Sequence, residues 1–126
     1  WGDATATDMT RPDLQAATKK SGRPWEMAKG FDFSGPISAF VPASRIGHPQ
    51  QGSIGLFVNG EARQQADISY MTWDVPHLLA ELSNMVTLKP GDLIFTGTPA
   101  GVSAVVKGDQ LEGTISGIAA VGTTIV

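Results

Sequence analysis

The dipeptide Asn59–Gly60 is the sequence feature that most constrains the fold. It lies between a mostly apolar segment at 54–58 and a polar segment at 61–65. Both central residues of a type I′ turn need a positive φ, and asparagine and glycine adopt it more readily than other residues. The sequence therefore predicts an antiparallel hairpin whose strands cover 54–58 and 61–65.

Turn residues divide the rest of the chain into short segments that favour further strands. Alternating apolar residues predict a strand at 37–41, and short apolar segments predict strands at 93–95, 105–106, 111–115 and 119–126. Tight turns are expected at 89–92, 107–109 and 116–117. Because strands do not alternate regularly with helices, the pattern predicts a β-rich α+β domain with two short helices.

Two segments carry helix signals. Pro12 suits the first turn of a helix, with Thr10 as a candidate N-cap and Ser21 and Gly22 at its end. Asp74 is a candidate N-cap for the second helix, which runs to residue 85. Its apolar residues have helical spacing and predict a buried stripe. They are Val75, Leu78, Leu79 and Leu82.

Composition limits the function classes. The 126 residues are enough for one domain, and 41% hydrophobic with 17% charged residues is typical of a globular chain. A net charge of −3 gives no basic surface for nucleic acid, and no apolar run approaches the ~20 residues of a membrane span. The absence of cysteine excludes disulfides and thiolate metal sites and fits a cytoplasmic location. Because the chain opens on Trp1, we expect an upstream portion to be missing.

The segment around Asp8 is the first candidate site. Asp8 precedes the first predicted helix, and Lys29 and Gly30 follow about twenty residues later, between turn signals. Hard divalent cations prefer oxygen ligands such as carboxylates. The cluster therefore suits such a cation and an anionic substrate, although a helix-capping aspartate beside surface charges is the alternative interpretation.

Several motifs in order resemble the fumarylacetoacetate hydrolase family over essentially the whole chain. They are Asp-x-Thr-x-x-Asp-Leu-Gln at 8–15, Gly-Arg-Pro-Trp-x-x-Ala-Lys-Gly-Phe-Asp at 22–32, Val-Asn-Gly-Glu-x-Arg-Gln at 58–64, Lys-Pro-Gly-Asp-Leu-Ile-Phe-Thr-Gly-Thr-Pro-Ala-Gly-Val at 89–102 and Gly-Asp-x-Leu-Glu-Gly at 108–113. Within the family the chain is most similar to acylpyruvate hydrolases, and above all to fumarylpyruvate hydrolases. The resemblance implies a mixed β-sandwich roll, a homodimer, Mg²⁺ or Mn²⁺, and hydrolytic C–C cleavage of a 1,3-diketo acid in aromatic compound catabolism. Oxaloacetate-type decarboxylation, diketo-acid isomerisation and a non-catalytic binding domain remain open as alternatives.

The resemblance also implies roles for particular residues. Asp8 matches a metal-binding carboxylate and Lys29 the active-site lysine. Gln15 and Thr98 match substrate-binding residues, and Gly30 matches a position where backbone approaches the site. Two positions depart from the family pattern. Pro12 stands where a substrate-binding arginine is usual, and Asp3 stands where an aromatic residue is common.

The family's remaining site residues lie N-terminal to the Asp8 segment. They comprise a Glu-x-Glu pair of metal ligands and a flexible lid with a His-Glu catalytic pair. His48 and His77 do not match that histidine and are expected to be surface or packing residues. We therefore expect residues 1–126 to be the C-terminal portion of a single catalytic domain.

Overall fold

The computed structural model describes all residues from 1 to 126 and is an α+β fold. Its strands are β1 (Gly2–Asp3), β2 (Val41–Pro42), β3 (Ser53–Val58), β4 (Glu61–Asp67), β5 (Gln110–Ile115) and β6 (Val121–Thr124). Its helices are α1 (Pro12–Lys20), α2 (Glu26–Lys29), α3 (Ala43–Ile46) and α4 (Val75–Met85), with a 3₁₀ turn at Ile68–Tyr70. The predicted β-rich α+β class is confirmed, with four α-helices instead of two.

A four-stranded antiparallel sheet in the order β4-β3-β5-β6 forms the centre of the structure. The predicted hairpin joins β3 to β4, and Asn59 and Gly60 have φ values of 53° and 82°, as a type I′ turn requires. The register shifts between Leu56 and Phe57. A second, two-stranded sheet pairs β1 with β2 and ties the start of the chain to residues 41–42.

The two predicted helices are present, with two corrections. Helix α1 begins at Pro12, but its N-cap is Arg11 and no side chain caps it, so Thr10 is not the cap. Helix α4 has the predicted cap, because the Asp74 carboxylate accepts a hydrogen bond from the His77 backbone N–H. Its apolar stripe is only half-buried, since no element of the described chain packs fully over it.

Some sequence predictions of local structure were wrong. Residues 93–95 and 105–106 form no strand, because this part of the chain pairs with no other strand. Of the predicted strand at 37–41, only an isolated bridge between Ile37 and Ala6 and the first residue of β2 are present. The segments predicted as loops contain the single-turn helices α2 and α3, and α2 buries Ala28 completely.

The core is small for a chain of this size. Eight of the 126 residues are buried, and the apolar ones are Ala28, Val58, Leu111 and Val121. The accessible surface is 8858 Å², whereas a self-contained domain of this mass is expected to expose about 6,400 Å². The excess includes large apolar side chains such as Leu93 and Phe95.

Helix α4, the longest, has 11 residues, and none of the helices has the length and apolar character needed to cross a membrane.

Candidate active site

A ladder of backbone hydrogen bonds holds the segment before α1 against the loop that contains α2. The donors are every second residue of the segment 7–11, so the side chains of the residues between the donors lie on one face of the segment. The bonds run from Thr7 N to Pro36 O (2.9 Å), from Met9 N to Ser34 O (2.8 Å) and from Arg11 N to Ala28 O (2.9 Å). Asp8 and Thr10 are the residues between these donors, and both face Lys29 at the end of α2.

The Lys29 ammonium has three acceptors for its three protons. Its Nζ lies 2.8 Å from Asp8 Oδ2, 2.8 Å from Thr10 Oγ1 and 3.3 Å from the Asp8 carbonyl oxygen. The Lys29 and Asp8 side chains are 34% and 40% exposed, so the pair lies at the edge of solvent. Because Lys29 holds only Oδ2, Asp8 Oδ1 remains available to another ligand.

This ion pair lies in a cavity of about 540 Å³, a volume suited to a small molecule. One part of its wall carries charged side chains, and another part is apolar. The lining residues are Asp8, Glu26, Lys29, Gly30, Ser34, Gly35, Leu93 and Phe95. Gly35 allows the Phe95 ring to approach, because an added Cβ would lie 3.1 Å from Phe95 Cζ. The cavity can therefore contact both oxygens and a carbon chain.

Three of the five predicted site residues line the cavity together, namely Asp8, Lys29 and Gly30. Gln15 is half-buried on α1 and is not among the lining residues. Thr98 also lies outside the lining, and its Oγ1 accepts a hydrogen bond of 2.9 Å from Gln64 Nε2. Gln64 is 7% exposed and also donates to the Pro99 carbonyl, so it fixes the turn that carries Thr98.

Sequence reasoning missed the role of Thr10 and several residues of the cavity wall. The missed lining residues are Glu26, Ser34, Gly35, Leu93 and Phe95. A usable signal existed for Thr10, because its i, i+2 spacing from Asp8 places both side chains on one face of an extended segment. No comparable signal relates Phe95 to Gly35, which are sixty residues apart in the sequence.

The donor set fits part of a site for a hard cation. Asp8 and Glu26 offer carboxylate oxygens, the ligands that Mg²⁺ and Mn²⁺ prefer. The chain nevertheless contains no group of three His, Cys, Asp or Glu residues that could hold a metal ion. As expected, neither histidine lines the cavity. The His48 ring lies 4.4 Å from that of Trp1, and His77 Nδ1 lies 2.7 Å from Asp74 Oδ1.

A family model described as the C-terminal domain of fumarylacetoacetate (FAA) hydrolase matches residues 1–126. The chain belongs to the fumarylacetoacetate hydrolase family. It is 42% identical to a fumarylpyruvate hydrolase from Ralstonia sp, over 99% of this chain and 65% of that protein. It is 45% identical to the mitochondrial oxaloacetate tautomerase FAHD1 of Rattus norvegicus, over 93% of this chain and 53% of that protein.

A solved structure is also similar. The fumarylpyruvate hydrolase from Pseudomonas aeruginosa, in complex with Mn²⁺ and pyruvate, matches with a TM-score of 0.97 and 47% identity, over 100% of this chain and 54% of that one. The chain thus spans about half to two-thirds of the length of these relatives.

Proposed function

We propose that this chain is the C-terminal part of the catalytic domain of a metal-dependent hydrolase that cleaves a C–C bond in an acylpyruvate, most specifically fumarylpyruvate. The observation that carries the proposal is the Lys29 ammonium held by Asp8 and Thr10 inside the cavity. The fumarylpyruvate hydrolases from Ralstonia sp and Pseudomonas aeruginosa, at 42% and 47% identity, support the substrate class.

The Mn²⁺ in the Pseudomonas aeruginosa relative supports Mg²⁺ or Mn²⁺ as the cofactor here. Asp8 Oδ1, which Lys29 leaves unengaged, would be the ligand from this chain. A bound ion would act as a Lewis acid on oxygens of the diketo acid. We propose that the other ligands come from a further part of the polypeptide. The large accessible surface supports this, because more protein would cover the apolar residues that are now exposed.

Lys29 would act on the carbonyl that water attacks. Water adds to that carbonyl, the adjacent C–C bond breaks, and the departing carbon takes up a proton to give pyruvate and a carboxylic acid. A negative charge develops on the attacked oxygen, and a fixed ammonium donor there would stabilise it by on the order of 3 kcal/mol. Asp8 Oδ2 and Thr10 Oγ1 already orient the Lys29 ammonium, and the proton on its longest contact, 3.3 Å to the Asp8 carbonyl oxygen, would turn to the attacked oxygen. Leu93 and Phe95 would contact the carbon chain of the substrate.

A second candidate is oxaloacetate tautomerisation, which the relative at 45% identity supports. It requires removal and return of a proton next to a 2-oxo group and breaks no C–C bond. The two reactions are distinguished by their products, since hydrolysis of fumarylpyruvate releases pyruvate, whereas tautomerisation of oxaloacetate changes only its enol absorbance. Decarboxylation of oxaloacetate would release carbon dioxide, and a non-catalytic binding domain would do none of these.

The test measures pyruvate release from fumarylpyruvate by the full-length protein loaded with Mn²⁺. The variant Lys29→Met should lower kcat by roughly 100-fold, because a fixed oxyanion donor is lost. The control Lys19→Met removes an exposed lysine from α1 and should leave kcat unchanged. Asp8→Asn should reduce Mn²⁺ binding in calorimetry while the far-UV circular dichroism stays the same. Full activity of Lys29→Met, or rapid turnover of oxaloacetate without pyruvate release from fumarylpyruvate, would overturn the hydrolase proposal.

Homodimer formation and a cytoplasmic location stay predictions from the sequence. Light scattering after size-exclusion chromatography of the full-length protein tests the first, and a monomeric mass at micromolar concentration would contradict it.

A further inference from the structure

We infer that Thr10 is a positioning residue for Lys29 and sets the direction of its ammonium in the cavity. The inference rests on the proposed function, in which Lys29 contacts the substrate oxygen. The evidence is the 2.8 Å hydrogen bond from Lys29 Nζ to Thr10 Oγ1, which is as short as the ion pair with Asp8. Thr10 Oγ1 makes no other hydrogen bond.

Asp8 would be shared between Lys29 and the proposed cation. Its Oδ2 contacts the Lys29 ammonium, and its Oδ1 would bind the cation. A carboxylate shared with a divalent cation attracts an ammonium less strongly, because its negative charge is partly neutralised. The Thr10 hydroxyl carries no net charge and hydrogen-bonds only to Lys29, so it would continue to hold the ammonium when Asp8 binds the cation.

The backbone around Thr10 is itself held on both sides. Met9 N donates to Ser34 O, and Arg11 N donates to Ala28 O, the residue before Lys29. These bonds hold the Thr10 backbone against the segment that carries Lys29. A short side chain on a held backbone is the kind of support that a catalytic group needs.

Two substitutions separate the hydroxyl from the rest of the side chain. Thr10→Val keeps the shape and removes the acceptor, whereas Thr10→Ser keeps the acceptor and removes a methyl group. The matched control is Thr18→Val on α1, which removes a hydroxyl that bonds only to the carbonyls of Leu14 and Gln15. All variants are made in the full-length protein and loaded with Mn²⁺.

Two measurements are made on each variant. Steady-state kinetics on fumarylpyruvate gives kcat and KM separately. The rate at which acetic anhydride modifies Lys29, followed by mass spectrometry of the peptide that contains it, reports how firmly the amine is held and needs no catalytic activity.

Thr10→Val should lower kcat by roughly ten-fold with little change in KM, since a hydrogen bond to a charged group is lost and the effect falls on the transition state. Its Lys29 should be acetylated faster than in the wild type. Thr10→Ser should restore both properties, and Thr18→Val should alter neither.

The inference is overturned if acetic anhydride modifies Lys29 in Thr10→Val at the wild-type rate. It is also overturned if the kcat of Thr10→Val equals that of the wild type. A kcat loss that Thr10→Ser does not restore would also overturn it, because the methyl group would then be the cause. Failure of the proposed function is seen separately, as absence of pyruvate release by the wild type. The acetylation rates still decide in that case whether Thr10 holds Lys29.

Discussion

Gly97 and Gly101 form a matched pair that tests how the turn carrying Thr98 is held. Both have a φ of +104°, which side chains other than glycine rarely adopt. Around Gly97 an added Cβ would meet nothing within 4 Å. At Gly101 it would overlap the Arg63 carbonyl oxygen and come within 3.3 Å of Gln64 Cγ. The pair therefore shares the backbone strain and differs in the contact with β4.

The magnitudes follow from these two terms. Gly97→Ala should lower the free energy of unfolding by about 1–2 kcal/mol, the cost of a positive φ for a residue with a Cβ. Gly101→Ala carries the same cost and adds about 1–3 kcal/mol, because the Cβ forces the turn away from the Arg63 backbone. The larger displacement should also weaken the hydrogen bond from Gln64 to Thr98.

Urea unfolding of the full-length protein, followed by circular dichroism, measures both variants against the wild type. The difference between the two midpoints isolates the contact with β4, provided the slopes agree. Equal destabilisation of Gly97→Ala and Gly101→Ala, within about 0.5 kcal/mol, would refute close packing of this turn on β4.

Three further predictions concern other parts of the chain. The pKa of Asp109 lies below its ordinary value of 3.8, because the Val106 N–H and the Asn59 side chain donate to it. The stability that the Asp109 carboxylate contributes is therefore present above pH 3.8 and lost as the pH falls through the lowered pKa. In urea unfolding measured at a series of falling pH values, Asp109→Asn should therefore lose less stability than the wild type. Thr5 is 2% exposed and its Oγ1 has no hydrogen-bond partner, so Thr5→Val should raise the free energy of unfolding by about 1 kcal/mol. A lower Tm for Thr5→Val than for the wild type would contradict this. Pro12→Arg restores the guanidinium usual in the family at the exposed first turn of α1. It should raise kcat/KM for fumarylpyruvate by about 10-fold or more. An unchanged kcat/KM would show that residue 12 does not face the substrate.

The elements that the sequence predicted well are those fixed by neighbouring residues. Asn59 and Gly60 determine the hairpin by their own φ values, and Asp74 caps α4 with a bond to the backbone three residues later. The segment at 93–95 has the composition of a strand, yet a strand also needs a partner. No strand lies beside this segment in the structure, so its apolar residues line the cavity and the surface instead.

The candidate site shows the same division between local and distant information. Asp8 and Lys29 could be selected from their motifs, and the structure brings them into an ion pair of 2.8 Å. The i, i+2 spacing places Thr10 on the same face as Asp8, but its contact with the Lys29 ammonium depends on the backbone hydrogen bonds between the segment 7–11 and residues 28–36.

Thr98 illustrates why residue roles need the structure. The family motif assigns it to the substrate, whereas the structure shows its oxygen accepting a bond from Gln64, thirty-four residues earlier in the sequence. This bond uses an oxygen lone pair and leaves the hydroxyl proton free to be donated. A substrate carboxylate could accept that proton while Gln64 holds the oxygen in place. The bond from Gln64 therefore leaves Thr98 a proton for the proposed substrate contact, but Thr98 is not among the residues that line the cavity of Asp8 and Lys29.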